Sequence, residues 1–279
     1  MLNTLHAPPS FLRACLLHAG YELKRRFSSL KWLLFGGSFI LAWSLVLRYI
    51  ILGGTRLIEE GEDSGLSQLL LHKLELLQRF DWPSYELAIC WYLLELFLAP
   101  MVMLLSADIL IQDRDARRLR FWQARSHRLS IVLGRFAAKA IILAGLLSIA
   151  VFSTLAVTLF RESGSVEASL GAAMVMCLLL FFLGLPYIAL MLLSSVFSSS
   201  PLRSLLTAFV GLLLISWILS YLSNIFAPFV LLNAVLPGTH SPVLDQCSAS
   251  ECLPAIGLPL IQTSWVLLLA LWFWRRQDI

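Results

Sequence analysis

Six stretches of this chain stay apolar over the length a helix needs to cross a bilayer. They fall near 32–52, 87–107, 137–160, 169–194, 204–224 and 256–274. A hydrocarbon core about 30 Å thick takes about 20 helical residues. Lipid offers backbone N–H and C=O groups no partner, so each stretch must satisfy them internally, as a helix. Composition agrees: 59% of the residues are hydrophobic and only 14% are charged, against about 25% charged in an ordinary soluble domain. That deficit excludes a soluble globular enzyme, a disordered regulator and a basic nucleic-acid-binding module. No long repeat or low-complexity tract divides the sequence. The expected fold is an all-α integral membrane protein with six transmembrane helices in one domain, 1–279.

The net charge of +4 is small, so placement matters more than size. The N-terminus, the 108–136 loop, the 195–203 loop and the C-terminal tail hold most of the Lys and Arg, including Lys24, Arg25, Arg26, Arg114, Arg117, Arg118, Arg120, Arg203, Arg275 and Arg276. The loops 53–86, 161–168 and 225–255 hold Arg56, Lys73, Arg79 and Arg161 among many acids. The Lys/Arg bias places both termini in the cytoplasm. Residues 1–29 lack an apolar core before Lys24-Arg25-Arg26, so they do not read as a cleavable signal.

Three segments flank the spans. Over 10–28, Leu12, Leu16, Ala19, Leu23 and Phe27 recur at helical spacing, while His18, Glu22, Arg25 and Arg26 lie largely on other faces. This predicts an amphipathic helix at the cytoplasmic interface. In the first external loop, Leu66, Leu69, Leu70, Leu74, Leu77 and Phe80 predict a second short amphipathic helix. Capping an external mouth and packing on the bilayer surface fit that pattern equally. The last external segment, 225–255, holds the apolar run 225–232, which is too short to span and is broken by Pro228, Pro237 and Gly238. It reads as re-entrant or interfacial.

Catalytic signatures are missing. There is no GxxxxGK[ST], HExxH or GxSxG, and His6, His18, His72, His127 and His240 are scattered. Glu95 is the one acid deep inside a span, where a carboxyl group must face protein or water. It is either a pathway or subunit contact, or a protonated group bonded to a neighbouring helix. Arg48, near the external end of the first span, can snorkel. Pro100 and Gly184-Leu185-Pro186 predict bends in the second and fourth spans. Met101, Met103, Met174, Met176 and Cys177 suit adaptable packing better than a soft-metal site, since residues two apart do not share a helix face. Cys247 and Cys252 enclose Ser-Ala-Ser-Glu on the external side. If that side is oxidising, the turn-prone residues between them favour a small disulfide loop over two free thiols.

The segment from Ser106 to Phe136 carries the most information. A span ends in a charged stretch, a basic turn follows, and a new span begins. Arg117, Arg118, Leu119, Arg120, Phe121, Trp122, Arg125 and Arg128 combine charge with large apolar surface. Leu119, Phe121 and Trp122 are costly in a merely solvated loop, and aromatics among arginines are what a docking surface needs.

In this order of features the chain resembles the type-2 ABC exporter permeases. Leu119-Arg120-Phe121-Trp122, Ala124-Arg125-Ser126-His127-Arg128 and Leu133-Gly134-Arg135-Phe136 stand where that family has a Gly-Thr-Leu-like segment, a small-residue/Pro-x-x-Arg turn and a Leu-Gly-Lys helix start. Arg117-Arg118 replaces the Gly-Thr pair and Arg135 replaces the Lys. The tail Trp272-Phe273-Trp274-Arg275-Arg276-Gln277-Asp278-Ile279 is similar to the family's aromatic–basic–Asp ending. The resemblance implies a permease in the bacterial inner membrane, paired with a second copy or paralogue and surrounded by membrane lipids. It implies docking on a cytoplasmic ATP-binding subunit through a coupling helix at 112–126, with ATP and Mg bound by that partner and no cofactor or metal on this chain. The rival expectation is a membrane anchor or assembly subunit that moves no substrate.

Overall fold

The computed structural model describes residues 10–59, 82–111, 128–161, 165–225, 236–238 and 256–276. All regular structure among them is helical. The elements are α1 (Phe11–Phe27), α2 (Leu30–Leu45), a π-helical turn (Val46–Ile51), α3 (Leu52–Glu59), α4 (Tyr85–Ser106), α5 (Arg128–Phe160), α6 (Val166–Phe197), α7 (Pro201–Ile225) and α8 (Gly257–Arg276). Six helices are long and apolar enough to cross a membrane, the first being the continuous run Leu30–Ile58. Their number and order match the sequence expectation.

Several boundaries follow from local chemistry. Ser29, Ser84 and Ser165 each accept a hydrogen bond from the backbone N–H three residues on, which caps α2, α4 and α6. Lys24, Arg25 and Arg26 close the last turn of α1, where cations suit the helix dipole. Pro100 and Pro186 are accommodated inside α4 and α6. Thr55, Thr154 and Thr158 return their hydroxyls to carbonyls four residues back, which satisfies them without water.

The core is built on α6, which packs against α4, α5, α7 and α8. Leu87, Cys90, Val102, Leu143, Leu147, Ala173, Leu180 and Ile188 are among its fully buried residues. At Gly184 an added Cβ would lie 2.5 Å from Leu143 Cδ2, so glycine permits the close approach of α5 and α6. Two spans stand outside this core. Only 6% of the apolar window is buried in Leu30–Ile58 and in Pro201–Ser223, against 61% in α6. Trp43 still ties the first span to α5, donating to Ala150 O and Ser153 Oγ.

The third span differs from expectation at its start. It begins at Arg128 rather than at 137, so Arg135 and Lys139 lie inside the helix. A 33-residue helix is about 50 Å long at 1.5 Å per residue, well beyond the hydrocarbon thickness. The surplus falls at the end carrying the cations. Residues 140–160 alone, about 31 Å, suffice to cross.

The packing of α1 adds a contact that the sequence reading did not contain. The helix lies against α5. Ala14, Ala19, Glu22 and Arg26 face inward, while Leu12, Leu16, Leu17 and Phe27 are exposed. Its charged stripe meets protein and most of its leucines point away. In an aqueous protein that would be inverted. Beside lipid it is the cheaper arrangement, because paired charges are buried by protein and apolar side chains meet hydrocarbon.

Candidate functional site

The two (i, i+4) pairs Glu22/Arg26 on α1 and Arg135/Lys139 on α5 face each other, and the turn after α4 adds Asp108. Glu22, Arg26, Arg135 and Lys139 are each 4% exposed or less. Glu22 pairs with Arg26 and Arg135, and its second-turn neighbour Arg25 reaches it at 2.9 Å. Arg26 Nη2 donates to both Asp108 oxygens at 3.0 Å. Lys139 Nζ donates to Asp108 Oδ1 at 2.7 Å and to the Leu105 carbonyl. Burying such charges costs several kcal/mol per ion unless they are paired and hydrogen-bonded. Here one interleaved chain of contacts pairs each of them with an opposite charge, and hydrogen bonds join Arg26 and Lys139 to Asp108.

The cluster joins three elements that are distant in sequence. Arg26 and Asp108 are 82 positions apart, and Asp108 and Lys139 are 31 apart. Burial pushes the Asp108 carboxyl up, but the charges and hydrogen bonds of Lys139 and Arg26 outweigh it and hold the group below its ordinary value. Burial pushes His18 on α1 down, and the positive charge of Arg135 adds to that. Gly134 makes the contact sterically possible. A Cβ there would lie 2.6 Å from His18 Cβ and 2.9 Å from the Cys15 carbonyl oxygen.

The 112–127 segment connects α4 to α5, and both its roots are held here. Asp108 lies just before it, and Arg135 and Lys139 follow it. Of the residues expected to dock a partner, Arg117, Arg118, Leu119, Arg120, Phe121, Trp122 and Arg125 lie outside the described residues. Arg128 opens α5, with its side chain outside them. Cys247 and Cys252 also lie outside, as do the interior of the 53–86 loop and most of 225–255.

Glu95 lies in α4, half-buried and in electrostatic contact with Tyr187 of α6. Tyr187 lines a cavity of about 340 Å³ with Ala99, Pro100 and Met103 of α4, Phe209, Leu212, Leu213 and Ser216 of α7, and residues 236–238. That last short piece is pinned twice. The Leu236 carbonyl accepts from Gln262 Nε2 at 2.9 Å. Gly238, at φ +94°, brings its backbone so close to Tyr187 that a Cβ would sit 2.8 Å from the hydroxyl. At the opposite end of the bundle Glu86, fully buried, pairs with Arg161 at 2.9 Å and links the start of α4 to the end of α5.

Sequence reasoning placed Arg135 in a loop and left Lys139 unremarked within an apolar stretch. The local signal was limited to two charged (i, i+4) pairs, Glu22/Arg26 and Arg135/Lys139, each on one face of a helix; the acids that join them to other elements are distant in sequence. Among the described residues no group of three or more His, Cys, Asp or Glu side chains is placed to hold a metal ion. No family model, curated protein or solved structure matches this chain.

Proposed function

We propose that the chain is the membrane subunit of an ATP-driven exporter in the bacterial inner membrane. Two such subunits form the pathway, and each docks on a separate cytoplasmic ATP-binding subunit that holds ATP and Mg. The observation that carries this reading is the anchoring of both roots of the 112–127 segment in one charge cluster that also grips α1. A push on that segment displaces α1 and the adjoining ends of α4 and α5 together. Without the cluster, the same push would bend a single helix. The residues that receive the push are Arg117, Arg118, Leu119, Arg120, Phe121, Trp122 and Arg125, with Arg128 at the helix start.

Two further features support the reading. The little-buried first and fifth spans leave faces for a second membrane subunit. The cavity lined by Tyr187, with which Glu95 interacts electrostatically, and by Ser216 offers polar groups within a mostly apolar lining. Residues 236–238 line it, which is where a re-entrant 225–255 segment would return toward α8. Both termini lie on the cytoplasmic side in this arrangement, with α1 at that surface.

The test is the double replacement Phe121→Ala with Trp122→Ala. A buried aromatic anchor contributes about 2 kcal/mol or more to binding. The pair should therefore weaken association with the ATP-binding subunit by well over ten-fold while the membrane helices stay folded. Unchanged co-purification would remove the docking assignment. A complex that assembles normally but moves no substrate would favour the anchoring role.

A further inference from the structure

A groove opens between the first half of the first span and the end of α4. Trp32, Phe35 and Phe39 line it from α2, and Met101, Leu104 and Leu105 line it from α4. Its volume is about 350 Å³. Its mouth carries Arg26, Lys31 and Asp108, so one end is charged and the rest is apolar. Lys31 to Phe39 is eight residues, about 12 Å along the helix axis.

We propose that this groove is a binding site for an anionic phospholipid, with the phosphate at Arg26 and Lys31 and an acyl chain along Trp32, Phe39 and Leu105. The argument for an anion is charge balance. Both oxygens of Asp108 are engaged by Arg26, and Lys139 holds one of them as well. Behind the mouth, Glu22 and Asp108 face Arg26, Arg135 and Lys139. The buried members thus carry one positive charge in excess, partly exposed Arg25 beside Glu22 adds a second, and exposed Lys31 adds a third at the rim. The argument for a lipid is the shape of the remainder. The groove runs along two membrane-crossing helices, and the leaflet supplies the chain that fills it. Trp32 marks the boundary between the two zones. Its ring lies 4.9 Å under the Arg26 guanidinium and 5.0 Å from Phe35. An amphipathic aromatic at headgroup level is the usual membrane anchor. The inference needs only that these helices cross a bilayer, and it stands apart from the exporter reading.

The experiment uses the purified full chain in nanodiscs doped with phosphatidylglycerol or phosphatidylcholine carrying the same photoreactive acyl chain. Labelled peptides are mapped. The expected result is labelling within 32–39 and 101–105 that favours phosphatidylglycerol by about five-fold per contributing basic residue. Lys31→Glu should remove most of that preference, since Lys31 is an exposed rim residue whose loss leaves the buried pairs intact. Leu104→Trp, which fills the groove from its exposed side, should lower labelling by both lipids. Inorganic phosphate in excess should leave labelling unchanged. Equal labelling by the two lipids, or an unchanged preference in Lys31→Glu, would overturn the proposal. So would competition by free phosphate, which would make the site one for a soluble anion. Chain-to-chain crosslinks in place of lipid adducts would assign the groove to a second copy.

Discussion

Replacing Asp108 with Asn keeps the shape of the side chain and removes one negative charge from the cluster. Its buried members are then Arg26, Arg135 and Lys139 against Glu22 alone, so their excess rises from one positive charge to two, with partly exposed Arg25 adding one more in both cases. Lys139 and Arg26 are 1% and 4% exposed, so water does little to offset the loss. Breaking a buried pair by removing one partner costs about 3–5 kcal/mol. The Asp108 side chain is 19% exposed, which puts the cost near the lower figure. Lys139→Met removes the opposite charge and its bond to the Leu105 carbonyl, at a similar cost. The double variant deletes the pair, so its loss should fall short of the sum by about 1–3 kcal/mol. Unfolding in mixed micelles titrated with sodium dodecyl sulfate measures all three. Alkylation of Cys15 on α1 reports whether the helix has detached. A loss under about 0.5 kcal/mol for Asp108→Asn, or strict additivity in the double variant, would show that the cluster does not bind α1, α4 and α5 into one unit.

Gly134→Ala should destabilise by about 1–3 kcal/mol, because backbone of α1 stands where the methyl must go; faster alkylation of Cys15 would accompany it, and an unchanged rate would contradict the close approach. Stability should also fall with acid in two steps. His18, with its value lowered in the fold, contributes above its ordinary 6.5, and that contribution is lost as pH falls through the lowered value. Asp108 behaves likewise below its ordinary 3.8. Melting curves across pH should show the upper step vanish in His18→Gln and the lower step persist. Reporter fusions at Ile279 and Gly164 should report opposite compartments, and the same compartment for both would refute six crossings.

The spans were legible because their signal is local. A run of about 20 apolar residues has few alternatives to a helix in lipid, and serines at 29, 84 and 165 mark three of the starts. The packing of α1 was not legible for a physical reason. An amphipathic pattern separates Leu12 and Leu16 from Glu22 and Arg26, but it does not say which charged residues of other helices the polar face meets. The start of α5 was placed too late because Arg135 reads as a loop cation when its partner is invisible, and Lys139 gave no sign of its role for the same reason. Those partners, Glu22 and Asp108, are far away in sequence, and no periodicity encodes such pairing. The cavity beside Tyr187 is likewise assembled from four separate segments. The expected docking residues on 112–126 and the Cys247–Cys252 loop rest on sequence alone.

The most direct test of the exporter assignment is the ATPase rate of the complex isolated through a tag on this chain and reconstituted in nanodiscs. ATP hydrolysis should co-purify with the wild-type chain, and Phe121→Ala with Trp122→Ala should reduce the coupled rate at least ten-fold while the separated ATP-binding subunit keeps its own activity. Absence of ATP hydrolysis from the wild-type complex, or the same coupled rate in the double variant, would contradict the assignment.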